Sequence, residues 1–248
     1  MSTNKIALIT GAAGGVGRAV AARLEAAGWQ LVVTSRQAEH LQAAFGNRHL
    51  QVAADCSTVV GARQILLAAK EHGLLPTALA HCVGNIRLGA MHRMSEADFT
   101  DCLNANLVSA FHTLSAFVGA LREARSPGAA VLVSSAAARI GTPNHEAVAA
   151  AKAGLEGLVR GAAATYAANG IRINAVAPGI METPAAAGII ASPTAREAAA
   201  RQYPLPGIGT PDELAELMVW LLSATAARVT GQVWSVDGGF SSIRPLVK

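Results

Sequence analysis

The sequence predicts an α/β protein built on one doubly wound parallel sheet, about seven strands wide, with helices on both faces. Two observations carry that expectation. Short apolar runs recur at even intervals with helical patterns between them, the alternation that parallel strands joined by right-handed crossovers require. The first run also ends in a glycine-rich turn that leads directly into a helix.

In chain order the strands are expected at residues 5–10, 31–34, 50–53, 78–81, 130–134, 172–177 and 232–236, each a brief run of mostly apolar residues. Such runs suit strands covered on both faces. Helices are expected at 16–27, 62–72, 96–121, 146–168 and 212–223. No linker, repeat or low-complexity tract interrupts the pattern, so residues 1–248 are read as one domain. Segment 183–209 departs from the rhythm with prolines and a short alanine-rich helical pattern. An insertion beside strand ends is a natural substrate lid.

Composition narrows the function classes. Apolar residues make up 52% of the 248 and charged residues 15%, so a large core is available and disorder is not expected. The net charge of +4 comes from scattered Arg and Lys, which argues against a nucleic-acid or membrane surface. Three cysteines, Cys56, Cys82 and Cys102, lack metal-ligand spacing, and their odd number suits a reducing compartment. The apolar run at residues 6–9 stops at a glycine turn, unlike a signal peptide, and no stretch is long enough to span a bilayer. A soluble cytoplasmic protein without a metal is expected.

The turn reads Thr10-Gly11-Ala12-Ala13-Gly14-Gly15-Val16-Gly17. Glycines admit a pyrophosphate close to the backbone, and the helix N-terminus offers free N–H groups and a favourable dipole. A tight strand–helix connection is the competing reading. The strand–turn–helix context favours the nucleotide and a Rossmann-like fold.

The Gly-x-x-x-Gly-x-Gly spacing resembles the short-chain dehydrogenases/reductases, and the resemblance then runs almost to the C-terminus. Asp55, followed by Cys56, resembles the family's strand-end acid that accepts from the adenine amine. Ala80-His81-Cys82-Val83-Gly84 stands where the family usually has Asn-Asn-Ala-Gly. Asn106 resembles the active-site Asn and Ser135 the active-site Ser, while Pro178-Gly179-Ile180 with Thr183 resembles the loop that holds the nicotinamide carboxamide. Thr230-Gly231 and Asp237-Gly238-Gly239 match the family's C-terminal strand region. The resemblance implies a homo-oligomer, a tetramer or dimer, with the helices bearing Asn106 and Lys152 packed across subunits.

Cofactor choice falls at the end of the second strand, where an acid would accept from the ribose hydroxyls of NAD. Here the chain reads Thr34-Ser35-Arg36, with no acid and a guanidinium suited to a 2′-phosphate, so NADPH is expected over NADH. A solvated loop arginine is the alternative for Arg36.

In the family a Tyr four residues before a Lys moves the proton, the Lys lowers the Tyr pKa and binds the nicotinamide ribose, the Ser orients the substrate oxygen and the Asn supports a water relay. Lys152 is in place and Ser135 lies at the usual distance, yet the tyrosine slot holds Val148. Valine has no proton to give, and general acid–base catalysis is worth about 10²–10⁴-fold. Tyr166 lies too far along the same helix; Tyr203, in the lid segment, could swing inward, but a packing role suits it better. His145, seven residues before Lys152, is the better candidate. The His145-to-Lys152 spacing resembles the enoyl-thioester reductases, a divergent branch with its Tyr seven residues before the Lys. The segment around His81 also resembles that branch. Glu146 points to another helix face. The bland readings are an exposed first-turn residue for His145, a backbone partner near the adenosine for His81, a bridge between strands for Asn106 and a strand-end hydroxyl for Ser135.

Three functions compete. The first is an NADPH-dependent oxidoreductase reducing a ketone or 3-oxoacyl-type carbonyl, with the proton from His145 or a water held by Ser135. The second is an enoyl-thioester reductase. The third is a protein that binds NADP(H) without turnover, as partner or sensor. The small apolar residues of 180–206 point to an apolar small-molecule substrate.

Overall fold

Residues 5–244 are described by a computed structural model. Among them, β1 (Ile6–Thr10), β2 (Gln30–Ser35), β3 (Leu50–Ala53), β4 (Ala78–His81), β5 (Gly128–Val133), β6 (Ile171–Pro178) and β7 (Val233–Val236) form one parallel sheet. The strand order is β3-β2-β1-β4-β5-β6-β7. The chain therefore winds outward from β1 in one direction and from β4 in the other. The crevice at their carboxyl ends is where such sheets bind ligands.

Alternation along each strand feeds two cores. Ile6 and Leu8 of β1 pack into one apolar cluster and Ala7 and Ile9 into the other. The first cluster is covered by α3 (Val59–Glu71), α5 (Ser109–Glu123) and α6 (Glu146–Tyr166), with Phe117 and Leu155 fully buried. The second is covered by α1 (Gly15–Ala26), α2 (Ala38–Phe45) and α8 (Pro211–Leu222). Thr210 begins α8 with a reciprocal cap: its hydroxyl accepts from Glu213 N while the Glu213 carboxylate accepts from Thr210 N.

Three expectations change. Helix α2 is an addition to the expected set, because its eight residues bury only Leu41 and Phe45 and leave too short an apolar stripe to read. The helix expected at 96–121 is interrupted: α4 (Glu96–Leu103) passes into one wide turn of π-helix at Asn104–Val108 before α5. Such a bulge inserts a residue without changing the apolar pattern, and it turns Asn106 inward. His145 caps α6 rather than lying in its first turn. The 183–209 segment contains a short 3₁₀ turn at Pro184–Ala186 and helix α7 (Pro193–Ala200). Among the described residues no helix is long and apolar enough to cross a membrane.

Candidate active site

Two cavities meet at the carboxyl ends of the strands, sharing Cys82, Val83, Gly84 and Asn85 in their walls. One, of about 450 Å³, lies over β1, β2 and β3 and is lined by Gly11, Ala13, Ser35, Arg36, Asp55 and Cys56 among others. The other, of about 420 Å³, lies over β5 and β6 and brings together Ser135, Lys152, Asn106 and His145. Val16, Pro178, Gly179, Ile180 and Thr183 complete its wall.

The glycine turn is shaped for close approach. A Cβ on Gly11, which has φ +64°, would come within 2.8 Å of the Cys82 carbonyl. One on Gly15 would meet the Thr183 methyl at 2.9 Å, and one on Gly17 would collide with the Gly11 carbonyl. Gly15 and Gly17 line neither cavity; they let α1 start tightly against the turn and the 178–183 loop. Asp55 Oδ1 accepts from Ser57 N at 2.9 Å and Ser57 Oγ at 2.8 Å, which holds the carboxyl at the cavity edge. Cys56 is buried and its thiol is pushed up to about 11 by desolvation, so it packs rather than reacts. Arg36 is exposed at the rim with His40 beside it in the wall, and it makes no ion pair among the described residues.

His81 departs from its expected place. It lines neither cavity and is buried beneath the strand ends, between Thr10 of β1 and Ser109 of α5. The strand pleat turns this side chain into the core, away from both cavities.

In the second cavity the Ser135 hydroxyl oxygen accepts from Ala137 N at 3.2 Å, which leaves its O–H free to donate. Lys152 is 6% exposed, and its Nζ donates to the Val133 carbonyl at 2.7 Å. No carboxylate pairs with it among the described residues, and desolvation pulls its ammonium down to about 8. Val148, one turn earlier, lines the same cavity and packs with Cys102 and Ala147. His145 Nδ1 lies 2.8 Å from the Pro143 carbonyl. A carbonyl only accepts, so Nδ1 carries the proton and Nε2 remains for exchange.

Some of this wall was not legible in the sequence. Gln202, Tyr203 and Phe240 reach the second cavity from the lid and the C-terminal segment. Tyr203 braces the 178–183 loop. Its phenolic oxygen accepts from Ile180 N at 2.7 Å, and its ring covers Gly179, where a Cβ would come within 2.8 Å.

Comparison with known proteins shows what the chain resembles. A family model described as enoyl-(acyl carrier protein) reductase matches residues 11–241. The chain is 34% identical to the A-factor type gamma-butyrolactone 1′-reductase (1S-forming) of Streptomyces virginiae, over 96% of each chain. It is 35% identical to the cis-4-hydroxycyclohexanecarboxylate dehydrogenase of Sinomonas cyclohexanicum, over 96% of this chain and 97% of that one. Among solved structures, levodione reductase superposes with a TM-score of 0.90 at 29% identity, covering 98% of this chain and 99% of that one. A structure titled ElxO with NADP bound gives 0.89 at 26% identity, covering 97% and 100%.

Proposed function

The chain belongs to the short-chain dehydrogenase/reductase family and is an oxidoreductase, and from that premise we propose that it reduces a ketone or 3-oxoacyl-type carbonyl with NADPH, using a proton donor other than the family tyrosine. The observation that carries this reading is one cavity lined by Ser135, Lys152, Asn106 and His145, which shares residues 82–85 of its wall with a second one edged by Arg36. The glycine approach at Gly11, the acceptor at Asp55 and the unpaired Arg36 fit an adenosine 2′-phosphate and its pyrophosphate. Held by these residues, a reduced nicotinamide cofactor would supply the hydride.

The chain's own groups supply the rest. Ser135 has its oxygen held by Ala137 N and its proton free, so it donates to the substrate oxygen and fixes the carbonyl. Lys152 places a buried positive charge in the cavity, where negative charge develops as the carbonyl is reduced. His145, protonated at Nε2, delivers the proton to the resulting alkoxide and returns to the Nδ1–H tautomer that Pro143 holds. Ile86, Met181, Ala186 and Ile189 form an apolar wall that suits an uncharged, apolar substrate. The chain works as a homo-oligomer in the cytoplasm.

A second reading, enoyl-thioester reduction, is favoured by the spacing of His145 and Lys152 and by the description of the matching family model. Incubation with NADPH and either an acetoacetyl or a crotonyl thioester, with products identified by mass, separates the two. A 3-hydroxyacyl product is expected; a saturated acyl product alone would replace this reading with the second.

A further inference from the structure

We propose that Asn144 is a positioning residue: its left-handed backbone turns the Pro143 carbonyl onto His145 and so selects the His145 tautomer that leaves Nε2 to exchange protons. Residues 142–145 form a tight turn, closed by His145 N donating to the Thr142 carbonyl at 3.3 Å. The second residue of the turn is Pro143, whose ring holds φ at about −65°. The third is Asn144, with φ +62°. A negative φ followed by a positive one makes this a type II turn, and Pro then Asn are residues that suit those two positions.

The type of turn decides where the Pro143 carbonyl points. Types I and II close on the same hydrogen bond and differ by roughly half a rotation of the peptide between their central residues. In the type II form His145 Nδ1 lies 2.8 Å from the Pro143 carbonyl oxygen. The rotated form would carry that oxygen to the other side of the turn, away from the ring. Asn144 is exposed, so what it contributes is a backbone conformation that Asn enters more readily than most residues. Gly89, in the loop after β4, donates its N–H to the Asn144 carbonyl at 3.0 Å and ties the turn to the loop that brings Ile86 into the cavity wall.

A competing partner waits if the carbonyl leaves. His145 is the N-cap residue of α6, and its side chain caps none of the free N–H groups of the first helical turn. An imidazole that accepted one of them through Nδ1 would hold its proton on Nε2. A ring whose Nδ1 accepts has no place for a second proton, so it cannot become the imidazolium that donates. The Pro143 carbonyl has the opposite effect. It accepts from Nδ1–H in the neutral and the charged ring alike, and Nε2 alone gains and loses the proton.

The bearing on turnover rests on the proton-donor role given to His145 above; the tautomer itself does not. ¹⁵N NMR of histidine-labelled protein above about pH 8, where an ordinary imidazole is neutral, reads which ring nitrogen carries the proton, with His145→Gln for assignment. The Nδ1–H form is expected in the unmodified protein and in Asn144→Gly, because glycine takes positive φ freely. Asn144→Val, which places a β-branched side chain where φ is positive, is expected to shift the population toward Nε2–H by about tenfold. Asn144→Ala is expected to move it the same way by a smaller factor and serves if Asn144→Val does not fold. An unchanged tautomer in folded Asn144→Val, or in Asn144→Ala where that variant stands in, overturns the proposal, as does an Nε2–H ring in the unmodified protein. Neither outcome depends on whether any carbonyl is reduced. The expected shifts beside undiminished turnover in His145→Phe would count against the proton-donor role alone.

Discussion

Thr10 Oγ1 and His81 Nδ1 lie 2.8 Å apart, in a fully buried relay whose other end fixes the tautomer of the imidazole. Ser109 Oγ donates its one proton to the Ala105 carbonyl at 2.7 Å, so His81 Nε2, 3.2 Å away, must donate to Ser109. His81 Nδ1 is then the acceptor for Thr10. The relay ties the strand leading into the glycine turn to the helix that follows Asn106.

A neutral His81 makes the fold acid-sensitive. Burial lowers its pKa to about 3, below the value near 6.5 that it has when unfolded. The unfolded chain therefore binds the extra proton first, so this stabilisation is complete above about pH 6.5 and fades as the pH falls toward 3. Denaturant unfolding at pH 7 and 4.5 should show a loss of about 2 kcal/mol that His81→Asn lacks. ¹⁵N NMR should find the Nε2–H tautomer. Equal acid sensitivity in the variant would count against the assignment.

Arg36 stands at the rim of the first cavity beside His40. Arg36→Ala should weaken NADPH by about 10–100-fold, the worth of one or two charge-assisted hydrogen bonds, and leave NADH nearly unchanged. Titration calorimetry with both cofactors reads the ratio directly, and an unaltered preference would move the 2′-phosphate contact elsewhere.

His145→Phe should lower turnover by about 10²–10⁴-fold while cofactor affinity persists. Steady-state rates beside a fluorescence binding titration check both halves. Undiminished turnover would remove His145 from the reaction and leave the proton to a water held by Ser135.

Lys152 is expected to cost stability and to serve function. Lys152→Met should stabilise the fold by on the order of 1–3 kcal/mol, because it removes a desolvated ammonium, and should abolish reduction. In the unmodified enzyme the ammonium is lost as pH rises through about 8, so kcat should fall across that range. A thermal melt and a pH–rate profile are the measurements.

The fold was legible because its signals are local. The strand runs, the glycine turn and the Pro178-Gly179 pair each sit within a few residues, and the last two lie at the sheet's carboxyl edge. The family resemblance implies that Ser135, Asn106 and Lys152 act together, and the structure puts them in one cavity. The rest depends on contacts between distant segments. The direction His81 faces is decided by the register of β4 against β1, the break before α5 by an inserted residue, and the wall at Gln202, Tyr203 and Phe240 by how the lid folds back.

The most direct test of carbonyl reduction without the family tyrosine is deuterium transfer from [4-²H]NADPH, with an acetoacetyl thioester and a neutral cyclic ketone as acceptors. The expected result is a hydroxyl product carrying deuterium on the carbinol carbon, from at least one of the two. NADPH that binds while no deuterium reaches either carbonyl would contradict the proposed reaction.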